Sequence, residues 1–88
     1  MGEVAVVYQI MPESPEVVLE KLKQEIERSI PKRARLNNII EKPIAFGLKA
    51  LEVQIILNDR EGGADEIEEQ LGNIDHVQSV ETIQVGLL

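Results

Sequence analysis

Residues 36–57 read LNNIIEKPIAFGLKALEVQIIL, two apolar stretches that meet at a single glycine. From Leu48 to Leu57 the alternation is clean: Leu51, Val53, Ile55 and Leu57 fall on one face, the period-two pattern of a half-buried strand. Residues 36–46 have the same strand character but carry Asn37, Asn38 and Pro43. Proline cannot donate to a ladder, so this strand belongs at a sheet edge. Gly47 then breaks the run and marks a bend or tight turn. The middle of the chain is therefore two strands in direct succession, with no helix between them.

Working outward, residues 3–11 (EVAVVYQIM) are short, β-branched and apolar on both sides, which predicts a central strand ended by Pro12. Ser14-Pro15 is expected to open a helix, with the serine as cap and the proline at the first position. Val18, Leu22, Ile26 and Ile30 recur every four residues, Leu19 widens the stripe, and Pro31 stops it. Residues 31–35 (PKRAR) form a basic loop, and residues 58–63 (NDREGG) a second loop. Ala64, Ile67 and Leu71 mark one face of a shorter, acidic helix. Asp65 and Glu66 suit its first turn, and Gly72-Asn73 can end it. Residues 77–85 predict a last strand with Val80, Ile83 and Val85 as apolar anchors. The order strand–helix–strand–strand–helix–strand is that of the α+β, ferredoxin-like βαββαβ sandwich. Right-handed crossovers put both helices on one face of a four-stranded antiparallel sheet, in the order 4-1-3-2. The second strand then lies at an edge, as Pro43 requires.

Composition bounds the rest. Eighty-eight residues make one small domain, residues 1–88, with 43% apolar side chains and only Tyr8 and Phe46 as aromatics. Cysteine is absent, which removes disulfides and thiolate chemistry. No secretory leader is visible at Met1-Gly2-Glu3, and no apolar run approaches the ~20 residues that span a bilayer, so a cytoplasmic protein without membrane contact is expected. Sixteen acidic against nine basic residues give a net charge of −7, which repels phosphate backbones and argues against direct nucleic-acid binding.

Site chemistry is sparse. His76 is the single histidine and reads as a loop or strand-edge residue rather than a base or metal ligand. A calcium loop starting at Asp59 would want glycine at its sixth position and glutamate at its twelfth, but the chain has Ala64 and Gln70. Gly62-Gly63 precedes a helix, yet no Lys-Ser/Thr follows and Asp65-Glu66 would repel a phosphate. Lys32, Arg33 and Arg35 form the one basic cluster; they suit an acidic partner or RNA, or else solvent beyond a helix C-terminus. The exposed aromatics by which such sheets stack RNA bases are missing from LEVQIIL. An acylphosphatase-type site would want an arginine after the first strand, where MPESP stands. Phe46-Gly47, between Lys42 and Lys49, is left as either a core aromatic or an anchor presented by a rigid bend.

These last residues carry a resemblance. PIAFGLKAL (residues 43–51) resembles the Pro-x-x-aromatic-Gly-Ile/Leu-Lys-x-Leu segment of the elongation factor 1-beta exchange domain. DREGGADEIEEQL (59–71) is similar to that family's acidic loop and helix, and His76-Val77-Gln78-Ser79-Val80 to the stretch opening its last strand. The blocks follow one another without gaps and cover about half the chain; the first strand and helix fit only by pattern. The chain begins at the domain itself, as archaeal members do. The resemblance implies a guanine-nucleotide exchange factor that frees GDP from elongation factor 1-alpha and lets GTP load, without covalent chemistry, cofactor or metal. It would bind the GDP-bound and nucleotide-free GTPase and be a monomer when free. Phe46 matches the family's aromatic and would be an apolar wedge, with Gly47 bending the backbone behind it. Lys49, Gln78 and Ser79 match positions that could contact the partner or merely stay solvated. Eukaryotic members place a lysine just before the chain end, suited to displacing magnesium. Here the tail is Gly86-Leu87-Leu88, without a cation: Leu87 and Leu88 could act sterically, or exchange could rest on other contacts. The alternative is a regulatory or oligomerising domain of the same fold that binds a small ligand.

Overall fold

The computed structural model describes residues 2–31, 34–45, 47–58 and 64–87. Its elements run β1 (Glu3–Pro12), α1 (Leu19–Ser29), β2 (Ala34–Pro43), β3 (Lys49–Asn58), α2 (Ala64–Gly72) and β4 (Val77–Leu87). The strands form one antiparallel sheet in the order β2-β3-β1-β4, which is 4-1-3-2 read from the other edge. β1, with β-branched Val4, Val6, Val7 and Ile10, is central, and the strand bearing Pro43 is an edge, as expected.

Paired residues project to the same side of a sheet, so the register defines two faces. On one, Val6 faces Ile55, Tyr8 faces Val53 and Ile10 faces Leu51. These six join Leu22 and Ile26 of α1 and Ile67 and Leu71 of α2 in a single buried cluster. Both helices therefore cover the same face. The other face carries Val7, Gln9, Glu52 and Gln54 and has no helix over it.

The start of α1 and both ends of β2 differ from the sequence expectation, and β4 runs on to Leu87 rather than ending at Val85. α1 starts at Leu19, with Val18 as its N-cap residue, rather than at Ser14-Pro15. The Ser14 hydroxyl instead accepts the Glu16 N–H (3.3 Å), and Ser14 O accepts the Val17 N–H (3.3 Å), closing a separate turn. A serine caps whichever nearby amide is unpaired, and here that amide belongs to a turn that lays Val17 against the core. Val18 consequently leaves the stripe and is 55% exposed. β2 begins at Ala34, which is buried opposite Leu57, and ends at Pro43 rather than running to Phe46, which lies outside the described residues.

β4 departs most in its side chains. Val80 packs against the core as predicted, but Ile83 and Val85 are 44% and 61% exposed, and Val77 is the buried anchor. A register shift accounts for Ile83: Tyr8 faces Thr82 whereas Val7 faces Gln84, which leaves Ile83 as an extra, bulged residue, while Val85 faces Val6 on the helix-covered side and is nevertheless exposed on this edge strand.

Candidate functional site

All three connections at one end of the sheet meet there: the β1–α1 loop, the β2–β3 bend and the α2–β4 turn. The bend is held by backbone bonds, with Ile44 N–H donating to Leu48 O (2.9 Å) and Leu48 N–H to Ala45 O (2.9 Å). Gly47 has φ +79°, in the left-handed region that side chains resist. A Cβ there would meet only Pro15 Cβ, at 4.0 Å. The glycine is required by conformation, not by space. A shallow groove links the bend to the β1–α1 loop, lined by Pro12, Ser14, Pro15, Leu19, Gly47 and Lys49.

Lys49 opens β3 opposite Pro43. Glu41, opposite Leu51 on the same face, is its diagonal neighbour. Glu41 Oε1 lies 3.9 Å from Lys49 Nζ, while Lys23 of α1 donates to Glu41 Oε2 at 2.8 Å. That hydrogen bond, ahead of simple charge attraction, holds the Glu41 carboxyl below the usual range and raises the Lys23 ammonium. Lys42 points to the uncovered face and pairs with Glu52 at 3.0 Å.

Across the sheet, the α2–β4 turn is fastened to the β1–α1 loop: Glu13 N–H donates to His76 O (2.9 Å), and His76 Nδ1 lies 3.5 Å from a Glu13 carboxylate oxygen. His76 has φ +73°, the one positive φ outside glycine among the described residues. Gln78 and Ser79 follow at the start of β4 and are both exposed, beside a groove walled by Asp65, Glu68 and Glu69 of α2.

The structure thus gathers Gly47, Lys49, Gln78 and Ser79 at one end, with β1 between the β3 and β4 pairs of residues. It does not bring Leu87 to them. Eight residues of strand separate Leu87 from Ser79, roughly 26 Å at the usual rise, in a molecule 42 Å long. Phe46 and Leu88 lie outside the described residues, as do Lys32, Arg33 and the loop 59–63. Sequence reasoning passed over Ile44, which is 47% exposed on the bend, and Glu41, which touches Lys49. Glu41 was accessible in principle: two residues placed almost symmetrically about a tight bend become cross-strand neighbours. No cluster of three metal-ligating side chains occurs among the described residues. No described helix is long and apolar enough to cross a membrane.

Architecture places the chain in the class of ferredoxin-like α+β sandwiches. An ACT domain from a GTP pyrophosphokinase of Chlorobium tepidum superposes with a TM-score of 0.65 over 92% of this chain and 99% of that one, at 15% identity. Such a likeness speaks to the fold alone. Sequence carries the assignment further. Residues 5–88 match the EF-1 guanine nucleotide exchange domain. An elongation factor 1-beta of Methanothermobacter thermautotrophicus is 47% identical over 88 residues, covering 100% of this chain and 99% of that one. Another, of Methanosarcina acetivorans, is 47% identical over 85 residues, covering 96% of each. The chain belongs to the EF-1 guanine nucleotide exchange domain family, and its role is guanine-nucleotide exchange on elongation factor 1-alpha during translation elongation.

Proposed function

We propose that exchange is driven by linkage alone: the domain binds the nucleotide-free GTPase more tightly than the GDP-bound form. Whatever factor separates those two affinities is, by thermodynamic necessity, the factor by which GDP binding is weakened. No bond to the nucleotide is made or broken, so the domain needs no nucleophile, metal or cofactor and works as a binding protein rather than an enzyme. It is a monomer when free and acts in the cytoplasm, on a protein partner and not on nucleic acid.

In this reading the loop-bearing end is the contact surface. Phe46 is the apolar wedge, and the left-handed Gly47 fixes the bend behind it. Lys49 offers a cation to a partner carboxylate, and Gln78 and Ser79 offer hydrogen bonds from the far corner of the same end. Leu87, at the other end of the sheet, meets the same GTPase only if it lies along the length of the molecule, and Leu88 follows it in sequence. The observation that carries this reading is the convergence of Gly47, Lys49, Gln78 and Ser79, far apart in sequence, on one exposed end.

The test is release of labelled GDP from loaded elongation factor 1-alpha. The wild-type chain is expected to accelerate release, while Phe46→Ala and Gln78→Ala fold normally and slow it by about tenfold or more and about threefold. Full-rate exchange by a folded Phe46→Ala protein would reject the wedge.

A further inference from the structure

We infer that Glu41 and Lys23 are positioning residues for Lys49, forming a three-residue relay that presents one loosely paired positive charge beside the bend to a carboxylate of the GTPase. The inference rests on reading Lys49 as a partner contact.

Three elements supply the relay: Lys23 from α1, Glu41 from the edge strand β2, and Lys49 from β3. Its two contacts are unequal. Lys23 Nζ holds one Glu41 oxygen at 2.8 Å, and Lys49 Nζ approaches the other at 3.9 Å. The Glu41 charge is therefore largely compensated by Lys23, through a hydrogen bond shifting both groups toward their ionised forms. A carboxylate already satisfied in this way orients a second ammonium without neutralising it. Lys42, the other lysine of the hairpin, is matched by Glu52 on the opposite face. Lys23 also lies 3.6 Å from Glu20 on its own helix, so its charge is engaged by two carboxylates, whereas Lys49, the most exposed of the three, has a single loose acidic neighbour.

Position explains why a tether is needed. Lysine carries four rotatable bonds, and Lys49 stands at the start of a strand with its side chain 54% exposed. Glu41, one-third exposed and anchored from below by α1, restricts that search before the partner arrives. The nearby carboxylates of Glu13 and Glu16 belong to the neighbouring groove with Lys21 and His76, so Lys49 is the cation on the bend side of this end.

The experiment is a double-mutant cycle in the GDP-release assay, with Lys49→Ala, Glu41→Gln and the double variant, each checked for its thermal midpoint. Lys49→Ala is expected to lower the second-order exchange rate by about tenfold. Glu41→Gln, which keeps shape and removes charge, is expected to lower it by about threefold, and the double variant to be no slower than Lys49→Ala alone. Lys23→Met should reproduce the Glu41→Gln loss. Losses that multiply in the double variant would show that Glu41 acts on the fold and not through Lys49, which overturns the relay. A faster Glu41→Gln protein would mean that the carboxylate masks Lys49, and also overturns it. An unchanged Lys49→Ala rate overturns instead the reading of Lys49 as a contact, and the relay with it.

Discussion

Gly47 sits at φ +79° with open space where a side chain would go, so its role separates cleanly into backbone conformation. An alanine forced into the left-handed region costs about 1 kcal/mol, equivalent to a fall of roughly 4–8 °C in the midpoint of a domain this size. Gly47→Ala is therefore expected to fold, melt a few degrees lower in a calorimetric scan, and lose more exchange activity than stability because the bend is re-aimed. Tyr8 gives the second prediction. It is fully buried, and burial, then the carboxylates of Glu68 and Asp65, push its phenol up to about 12 from 10. The folded state thus keeps the proton that the unfolded chain releases first. Its contribution is intact below pH 10 and is lost as pH climbs from 10 to 12. Denaturant midpoints measured across that window should fall steeply, and Tyr8→Phe should flatten the fall. At this scale the sequence was legible wherever one residue type dictates one conformation, as at Gly47. Glu41 was not singled out, because its importance lies in a cross-strand neighbour that only the register supplies.

α1 shows how an element can be right in kind and wrong at its start. Leu22 and Ile26 are buried as the four-residue spacing requires, yet Ser14 caps a turn of its own and leaves Val18 as an N-cap residue with no side-chain bond to give. Helix N-termini have four amides without helical partners, and a short polar side chain at this position satisfies one. Val18→Asp should therefore stabilise the domain by about 1 kcal/mol, read as a higher thermal midpoint. No rise would mean that the exposed valine makes a compensating contact. β4 shows the opposite limit. Its existence and place were legible, but Ile83 is a bulged residue and Val85, although it faces Val6, stays exposed at the sheet edge. A bulge is set by how an edge strand meets its one neighbour, and leaves no mark in a two-residue period. β2 was legible as an edge because Pro43 has a topological consequence, not only a local one.

Over the whole molecule, element order and proline placement were enough to fix the sandwich, whereas the division of the predicted contacts between its ends required the sheet. Charge divides too: no lysine or arginine follows Arg60, and Asp65, Glu66, Glu68, Glu69, Asp75 and Glu81 carry six of the seven net negative charges. The α2–β4 flank is thus strongly acidic, while Lys23, Lys42 and Lys49 stand on the β2–β3 side, where the bend faces outward. A GTPase engaging this molecule meets a cation at the bend and acid along the opposite flank, so its orientation is constrained before close contact forms. What remains central is energetic rather than geometric: contacts at the bend must be worth more against the empty GTPase than against the loaded one. Calorimetric titration of the domain into elongation factor 1-alpha, once freed of nucleotide and once saturated with GDP, measures that difference directly. Markedly tighter binding to the empty form is the predicted result; indistinguishable dissociation constants would contradict the account.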